Sequence, residues 1–309
     1  MSNNILIIKH GALGDLIQIT NALKSIRHKY PESKITLLTD IKFKFFSDRI
    51  IFIDEIIYEN RPSFLRIDEW LTIILKITRR NFNIVFDLQN SDRTSVYYFF
   101  IRLFNSKVIW SGSRKGGKYK YHPNNFESVP IKDRIKNQLA LMNIEIYDNP
   151  DISWMLNKNI INLPNNDFVI LLPGSSLEHK HKRWPAEKFA ELANHLKERN
   201  IDSIILGQSH SEGEELKKIK LLAPKIIDFS NQDLDCLATT ASKAIGAIGN
   251  DTGPTFIAAA AGCPITWLLS SHTDPNITQL LGSKVNTLKK DNISDITTDE
   301  VKNNLALRD

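Results

Sequence analysis

Cysteine is scarce in this chain of 309 residues: Cys236 and Cys263 are the whole supply. Two cannot make a disulfide framework, and no Cys/His cluster has zinc-ligand spacing, so a reducing compartment fits and no metal site is expected. Long apolar runs are missing too. No segment approaches the roughly eighteen uninterrupted apolar residues of a membrane span, and the first residues lack a basic segment followed by an apolar stretch and a cleavage site. The expectation is a cytoplasmic protein without a span. Two phosphate-binding signatures are also absent. Neither "HGALGD" nor "PGSSLEHKHKRWP" matches the P-loop with its Gly-Lys-Ser/Thr ending or the Gly-x-Gly-x-x-Gly dinucleotide spacing, which argues against an NAD-dependent oxidoreductase. No carboxylate pair is read as spaced like a metal-binding Asp-x-Asp motif.

What is present is ordinary for a soluble globular protein, 42% hydrophobic and 24% charged. The length suggests two domains of about 150 residues each. Charge is uneven: residues 1–160 carry 24 Lys and Arg against 16 Asp and Glu, and the remainder 16 against 19. A basic first half suits an anionic partner, a phosphorylated glycolipid, a membrane surface or nucleic acid, although a basic solvated face is the commoner meaning.

The pattern along the chain is strand and helix in alternation. Strands are expected near 4–8, 34–39, 51–57 and 83–88, with helical periodicity between several of them, the signature of a parallel sheet covered on both faces. The Asn-rich stretch "NKNIINLPNN" at 157–166 reads as a linker. The alternation then restarts with "FVILLPGSS", the amphipathic "PAEKFAELANHLKERN", "DSIILGQ" and the helical "EGEELKKIKLLA". In "KAIGAIGNDTGPTFIAAAAGCP" Pro254 suits the first helical position and Gly262 the stop. The expected class is α/β, with a boundary near 160.

Four segments carry candidate chemistry. In "IKHGALGDLIQITNALKSIRHKYP" a strand passes through Gly11 and Gly14 into a helix, with Asp15 at or next to the N-cap, where it is a cap or a catalytic acid/base. In "GNDTGPTFIAAAAG" a strand ends in small residues before a Pro-started helix whose free N–H groups face whatever sits there. An anion is the natural occupant, beside Asp251, Thr252 and Gly253. "PGSSLEHKHKRWP" places Gly174, Ser175 and Ser176 at a strand end with Lys180, Lys182 and Arg183 close behind. His179 and His181 alternate there, but no further ligand completes a metal set, so they read as solvated. "GSRKGGKYKYH" gathers Arg114, Lys115, Lys118 and Lys120 around two glycines with Tyr119 and Tyr121 between, a loop able to clamp phosphates or simply a solvated turn. Two Gly-turn-to-helix anion sites in separate halves are surplus to a nucleic-acid binder, so no nucleic-acid partner is expected.

The blocks "ILIIKHGALGDLIQITNAL", "PGSS…KRWPAEKFAEL" and "IGNDTGPTFIAAAAGCP…TDP" together resemble, in order and separation, the ADP-heptose:lipopolysaccharide heptosyltransferases of glycosyltransferase family 9. The resemblance implies a GT-B fold of two facing Rossmann-like domains with mostly parallel sheets. Residues 1–160 would bind the acceptor and residues 161–309 an ADP-sugar donor, the final helix packing back on the first domain. It implies inverting, metal-independent sugar transfer without a cofactor, to an anionic glycolipid acceptor of the lipopolysaccharide core type, in the cytoplasm with peripheral contact at the inner membrane surface. Asp15 matches the general base, Lys182 the diphosphate-contacting lysine, and Asp251, Thr252 and Gly253 the donor turn. Ser175 and Ser176 occupy the place of hydroxyl residues that touch the phosphates. Gly14 and the loop residues Arg114, Lys115, Lys118 and Lys120 lie where the acceptor is contacted. There are departures. Asn21 stands where a proline is usual, a longer spacer leaves open whether Lys180 or Lys182 meets the diphosphate, and "SSHTDP" replaces Gly-Pro-Thr-Asp-Pro around Thr273 and Asp274. A silent sugar-nucleotide-binding homologue, or a transferase with another sugar and acceptor, is the alternative.

Overall fold

A computed structural model of the chain describes residues 3–63, 65–156 and 162–308. It divides into two compact units, 1–148 and 149–309. The candidate linker at 157–166 lies partly outside the described residues.

The first unit holds β1 (Asn4–Ile8), β2 (Lys34–Asp40), β3 (Glu55–Glu59), β4 (Ile84–Asp87), β5 (Ile109–Gly112) and β6 (Tyr119–Lys120). Its helices are α1 (Leu13–Gln18), α2 (Thr20–Lys29), α3 (Lys44–Ser47), α4 (Ile67–Thr78), α5 (Asp92–Phe104) and α6 (Ile131–Ala140). The strands form one sheet in the order β3-β2-β1-β4-β5-β6, every pair parallel. The third strand starts later than the expected 51–57, because Asp54 just before it is spent on a turn: its Oδ2 accepts from Ile35 N at 2.7 Å and from Arg27 Nη2 at 2.5 Å. β1 is buried from Ile5 to Ile8, as a central parallel strand covered on both faces must be.

The second unit repeats the plan with β7 (Phe168–Leu172), β8 (Asp202–Ile205), β9 (Ile227–Asp228), β10 (Gly246–Asn250), β11 (Ile265–Leu269) and β12 (Val285–Lys289). Its helices are α7 (Ala186–Glu198), α8 (Ser209–Leu222), α9 (Leu234–Lys243), α10 (Gly253–Ala260) and α11 (Thr298–Asn303). The sheet order is β12-β11-β10-β7-β8-β9, again parallel throughout. Renumbered from β7, it is the same 3-2-1-4-5-6 order as the first sheet, the order of dinucleotide-binding domains. The chain's last helix, α11, packs on α7, and Arg308 N donates to Ile245 O at 2.7 Å, fastening the tail to the second sheet.

Each sheet has its own core. In the first unit Leu6, Ile8, Val85 and Trp110 of the strands meet Trp70, Ile73 and Ile77 of α4 and Tyr97 and Ile101 of α5. In the second, Val169, Leu171, Ile248 and Leu268 meet Phe189 and Leu196 of α7, Ile219 of α8 and Val301 of α11. Full burial of each such side chain is worth roughly 1.5–3 kcal/mol.

Candidate active site

In a 3-2-1-4-5-6 sheet the chain leaves the first and fourth strands in opposite directions, opening a crevice beyond their carboxyl ends where ligands bind. Both sets of candidate residues fall there, one beyond β1 and β4, the other beyond β7 and β10.

At the first crevice β1 runs into Lys9, His10 and Gly11. Gly11 has φ +43°, and a Cβ on it would lie 2.4 Å from Asp15 Cβ, so only glycine allows Asp15 to fold back over the turn. Asp15 sits at the third position of α1, behind the N-cap Ala12, and its Oδ2 accepts from Ala12 N at 2.9 Å. Alanine offers no acceptor in return, so this is the carboxylate half of a capping box. Oδ1 lies 3.9 Å from Lys9 Nζ, and the side chain is 31% exposed, which leaves the carboxylate reachable from the crevice. Gly14 is buried in the first turn of α1.

Two features here escape sequence reasoning. Gln89, just past β4, accepts from His10 N at 3.1 Å and Gly11 N at 3.3 Å through Oε1, and so holds the glycine turn from the neighbouring strand. Beneath it, His10 Nε2 lies 3.0 Å from Glu59 Oε1, an ion pair when the imidazole is protonated, with both side chains 1% exposed. Tyr97 OH donates to Glu59 Oε2, and Arg93 Nε stands 3.8 Å from Oε1. Desolvation pushes the Glu59 carboxyl up, but His10, Tyr97 and Arg93 outweigh it and hold it below the usual range. Burial and the Glu59 charge raise the Tyr97 phenol in turn.

The basic loop follows β5 on the same sheet edge. Arg114 is committed to the fold: its Nη2 donates to Ser91 O at the start of α5 and stands 3.8 Å from Asp92 Oδ1. Lys115, Lys118 and Lys120 point into solvent, Lys118 Nζ lying 5.6 Å from the Tyr119 ring centre.

At the second crevice Asp251, Thr252 and Gly253 lead from β10 into α10. Thr252 is the N-cap and Gly253 the first helical residue, which moves Pro254 to the second position rather than the expected first. The Gly253 N–H is left without an intrahelical partner, and the Thr252 hydroxyl is buried with no hydrogen bond. Asp251 Oδ2 accepts from Lys182 Nζ at 2.7 Å and from Thr273 Oγ1 at 2.6 Å. The three blocks that supply Lys182, Asp251 and Thr273 thus converge on one point. Lys182 is the lysine in the turn, whereas Lys180 is exposed. Asp274 caps its own turn, its Oδ1 accepting from Asn276 N at 2.9 Å.

Ser175 is occupied within the fold. Its Oγ donates to His179 O at 2.8 Å and accepts from Arg183 Nε at 3.0 Å, while Arg183 also reaches Ser175 O at 2.7 Å and Glu215 at 2.5 Å. Ser176 beside it is exposed. Asn250 is the counterpart of Gln89. Fully buried, it donates through Nδ2 to Pro173 O at 2.7 Å and Gly174 O at 3.3 Å and accepts from Trp184 N at 3.1 Å, welding the β10 end to the β7 loop. Glu212 was also missed: its carboxylate lies against Gly174, where a Cβ would come within 2.1 Å of Oε1, and burial raises its pKa. Only its closeness to the glycines in the fold marks it.

His181 packs against His179 at 5.6 Å and against His272 at 4.3 Å between ring centres. No group of three His, Cys, Asp or Glu among the described residues is arranged to hold a metal ion. An Asp-x-Asp spacing does occur, at Asp233-Leu234-Asp235, contrary to the sequence reading. Asp233 there is the N-cap of α9, its Oδ1 accepting from Cys236 N at 2.9 Å.

Among solved structures the chain is similar to E. coli ADP-heptose lps heptosyltransferase II, with TM-score 0.72 and 17% identity over 97% of both chains. It is similar to E. coli heptosyltransferase WaaC with ADP, with TM-score 0.74 and 17% identity over 97% of this chain and 98% of that one. The glycosyltransferase family 9 structure from Veillonella parvula gives TM-score 0.73 and 18% identity over 98% and 95%. Identities this low speak for the fold, two parallel-sheet domains of the GT-B type. No curated protein matches the chain in sequence. The family model for glycosyltransferase family 9 (heptosyltransferase) matches residues 132–305, more than half of the sequence and the whole of the Lys182–Asp251–Thr273 cluster. The chain belongs to glycosyltransferase family 9.

Proposed function

We propose that the protein is an inverting glycosyltransferase that moves a sugar, heptose in the reading its family favours, from an ADP-sugar to a hydroxyl of an anionic glycolipid acceptor of the lipopolysaccharide core type, at the cytoplasmic face of the inner membrane. The observation that carries the reading is the donor turn: a helix start with a free N–H, a buried Thr252 hydroxyl without a partner, and a lysine poised beside them. A diphosphate supplies the acceptor atoms these donors lack.

In this mechanism Asp15 accepts the proton of the attacking hydroxyl. The hydroxyl oxygen bonds to the anomeric carbon as the bond to the diphosphate breaks on the opposite face. Charge gathering on the departing ADP is met by Lys182, Ser176, Thr252 and the start of α10, which lets protein groups do the work of a divalent metal. Ser175 serves here by holding Arg183 and the loop, and Asp251 by presenting Lys182. Glu212, a buried acceptor next to Gly174, suits the donor's ribose hydroxyls. Lys115, Lys118 and Lys120, with Gly14 lining the turn and Arg114 anchoring the loop, meet the acceptor's phosphates.

The test is a thermal-shift series with ADP, UDP, GDP and NAD. ADP at 100 times its dissociation constant stabilises by about 2.7 kcal/mol, and Thr252→Ala or Asp251→Ala lowers that gain. A stronger response to UDP or NAD than to ADP overturns the donor assignment. EDTA leaves turnover unchanged; loss restored by magnesium contradicts the metal-independent mechanism.

A further inference from the structure

Helices α4 and α5 carry apolar side chains on faces that no other element covers among the described residues. Ile67 is 67% exposed, Leu71 54% and Leu75 46%, spaced four residues apart on α4; on α5 Phe99 is 61%, Leu103 64% and Phe104 68% exposed. A solvated helix face is normally polar, so six large apolar groups there mark an interaction surface.

The two stripes form one patch. Both helices connect strands in the same direction along the sheet, β3 to β4 and β4 to β5, and right-handed crossovers put them on the same side of it. They pack together: Trp70 of α4 meets Tyr97 of α5 at 5.7 Å between ring centres and Arg93 at 4.6 Å. Ile67, Leu71 and Leu75 follow the flank next to Trp70 and Ile74, and Phe99 and Leu103 crown the neighbouring helix.

The charge around the patch identifies the partner. Lys76, Arg79, Arg102 and Lys107 lie exposed along these helices and their ends, and no carboxylate pairs with them among the described residues. Asp68 and Glu69 at the start of α4 are engaged by Arg66. A second copy seated by two-fold symmetry on the same patch would bring these cations against their own images. An anionic bilayer instead takes aliphatic and Phe side chains at its acyl boundary and Lys and Arg at its headgroups. Both helices also begin at the carboxyl edge of the sheet, the edge that carries Asp15.

We propose that the α4–α5 face of the first unit docks on the surface of an anionic lipid bilayer. The assignment does not depend on the transferase reading, and its test reads no activity. The full-length protein is sedimented with phosphatidylcholine vesicles with and without phosphatidylglycerol. Binding requires phosphatidylglycerol and falls about tenfold or more for Leu71→Gln/Leu75→Gln, for Phe99→Gln/Leu103→Gln and for Lys76→Glu/Arg79→Glu/Arg102→Glu, and with added salt for the wild type. Melting temperatures stay near wild type because the altered groups are exposed; should a glutamine pair lower them, the charge-reversal variant carries the test alone. Wild type remaining in the supernatant with anionic vesicles, or variants binding as tightly as wild type, overturns the proposal. So does a wild-type dimer that the glutamine pairs convert to monomer with vesicle binding unchanged, which gives the face to a second copy.

Discussion

Asp15 caps its turn and, in the proposed mechanism, takes a proton, two jobs that a substitution can separate. From the third helical position its Oδ2 accepts from Ala12 N, a hydrogen bond that an asparagine Oδ1 can also accept, so Asp15→Asn leaves the turn in place at a loss of about 0.3–1 kcal/mol in charge–dipole stabilisation. It cannot accept a proton at neutral pH. Turnover therefore drops by about 10² to 10⁴ with ADP affinity and melting temperature close to wild type. Near wild-type turnover in the Asn variant would leave Asp15 as a cap and no more. The glycine-bracketed acid was legible in the sequence. Its place at the third helical position, and the amide of Gln89 that fixes the turn from across the sheet, were not, because they depend on which strand lies beside β1.

At the scale of elements, the two crevices share a device: an amide side chain on the loop side of the fourth strand ties down the loop after the first. Gln89 holds its turn through backbone N–H groups, and Asn250 holds its loop through two carbonyls and Trp184 N. Removing the Asn250 amide with alanine strands three buried backbone groups and costs about 2–4 kcal/mol. Aspartate keeps the acceptor for Trp184 N but faces two carbonyl oxygens with a carboxylate, so it too destabilises. Denaturant titration measures both variants, and the thermal gain from ADP shrinks with them because the donor loop loosens. Unchanged midpoints would mean the loop is held by other contacts. Strand and helix identity in these motifs was readable from periodicity. The late start of β3 was missed because apolar Ile50 and Phe52 serve a buried turn, which periodicity alone does not distinguish from a strand.

For the molecule as a whole, acid stability follows the buried carboxylates. Glu59 is held below its ordinary value of 4.5, so its contribution is complete above that value and is lost as pH falls through the lowered one. Glu55, bonded to Arg80 and Lys34, acts in the same direction. Asp87 and Glu212, pushed up by burial, act oppositely: each favours its protonated form in the fold and costs stability as pH rises through its ordinary range. Of these four, Glu59 bears on the first core most directly, through His10 and Tyr97. Wild type therefore loses stability as pH falls below about 4.5, and Glu59→Gln, less stable at neutral pH by about 2–4 kcal/mol, loses less over the same fall. Parallel pH profiles for the two proteins would remove Glu59 from that role.

Alternation of short β-branched strands with amphipathic helices, restarting after residue 160, determined two parallel-sheet layers by itself, since that information is local and periodic. The Gly-rich turns and the small-residue helix start were legible as the candidate anion sites for the same reason. Tertiary structure alone decided which of two lysines pairs with Asp251, that Ser175 is spent on Arg183, that His10, Glu59 and Tyr97 meet under the Asp15 turn, and that α4 and α5 leave an apolar face exposed. Each depends on strand order and on contacts between residues far apart in sequence, and a hydrogen bond or an exposed face exists only once the chain has closed around it.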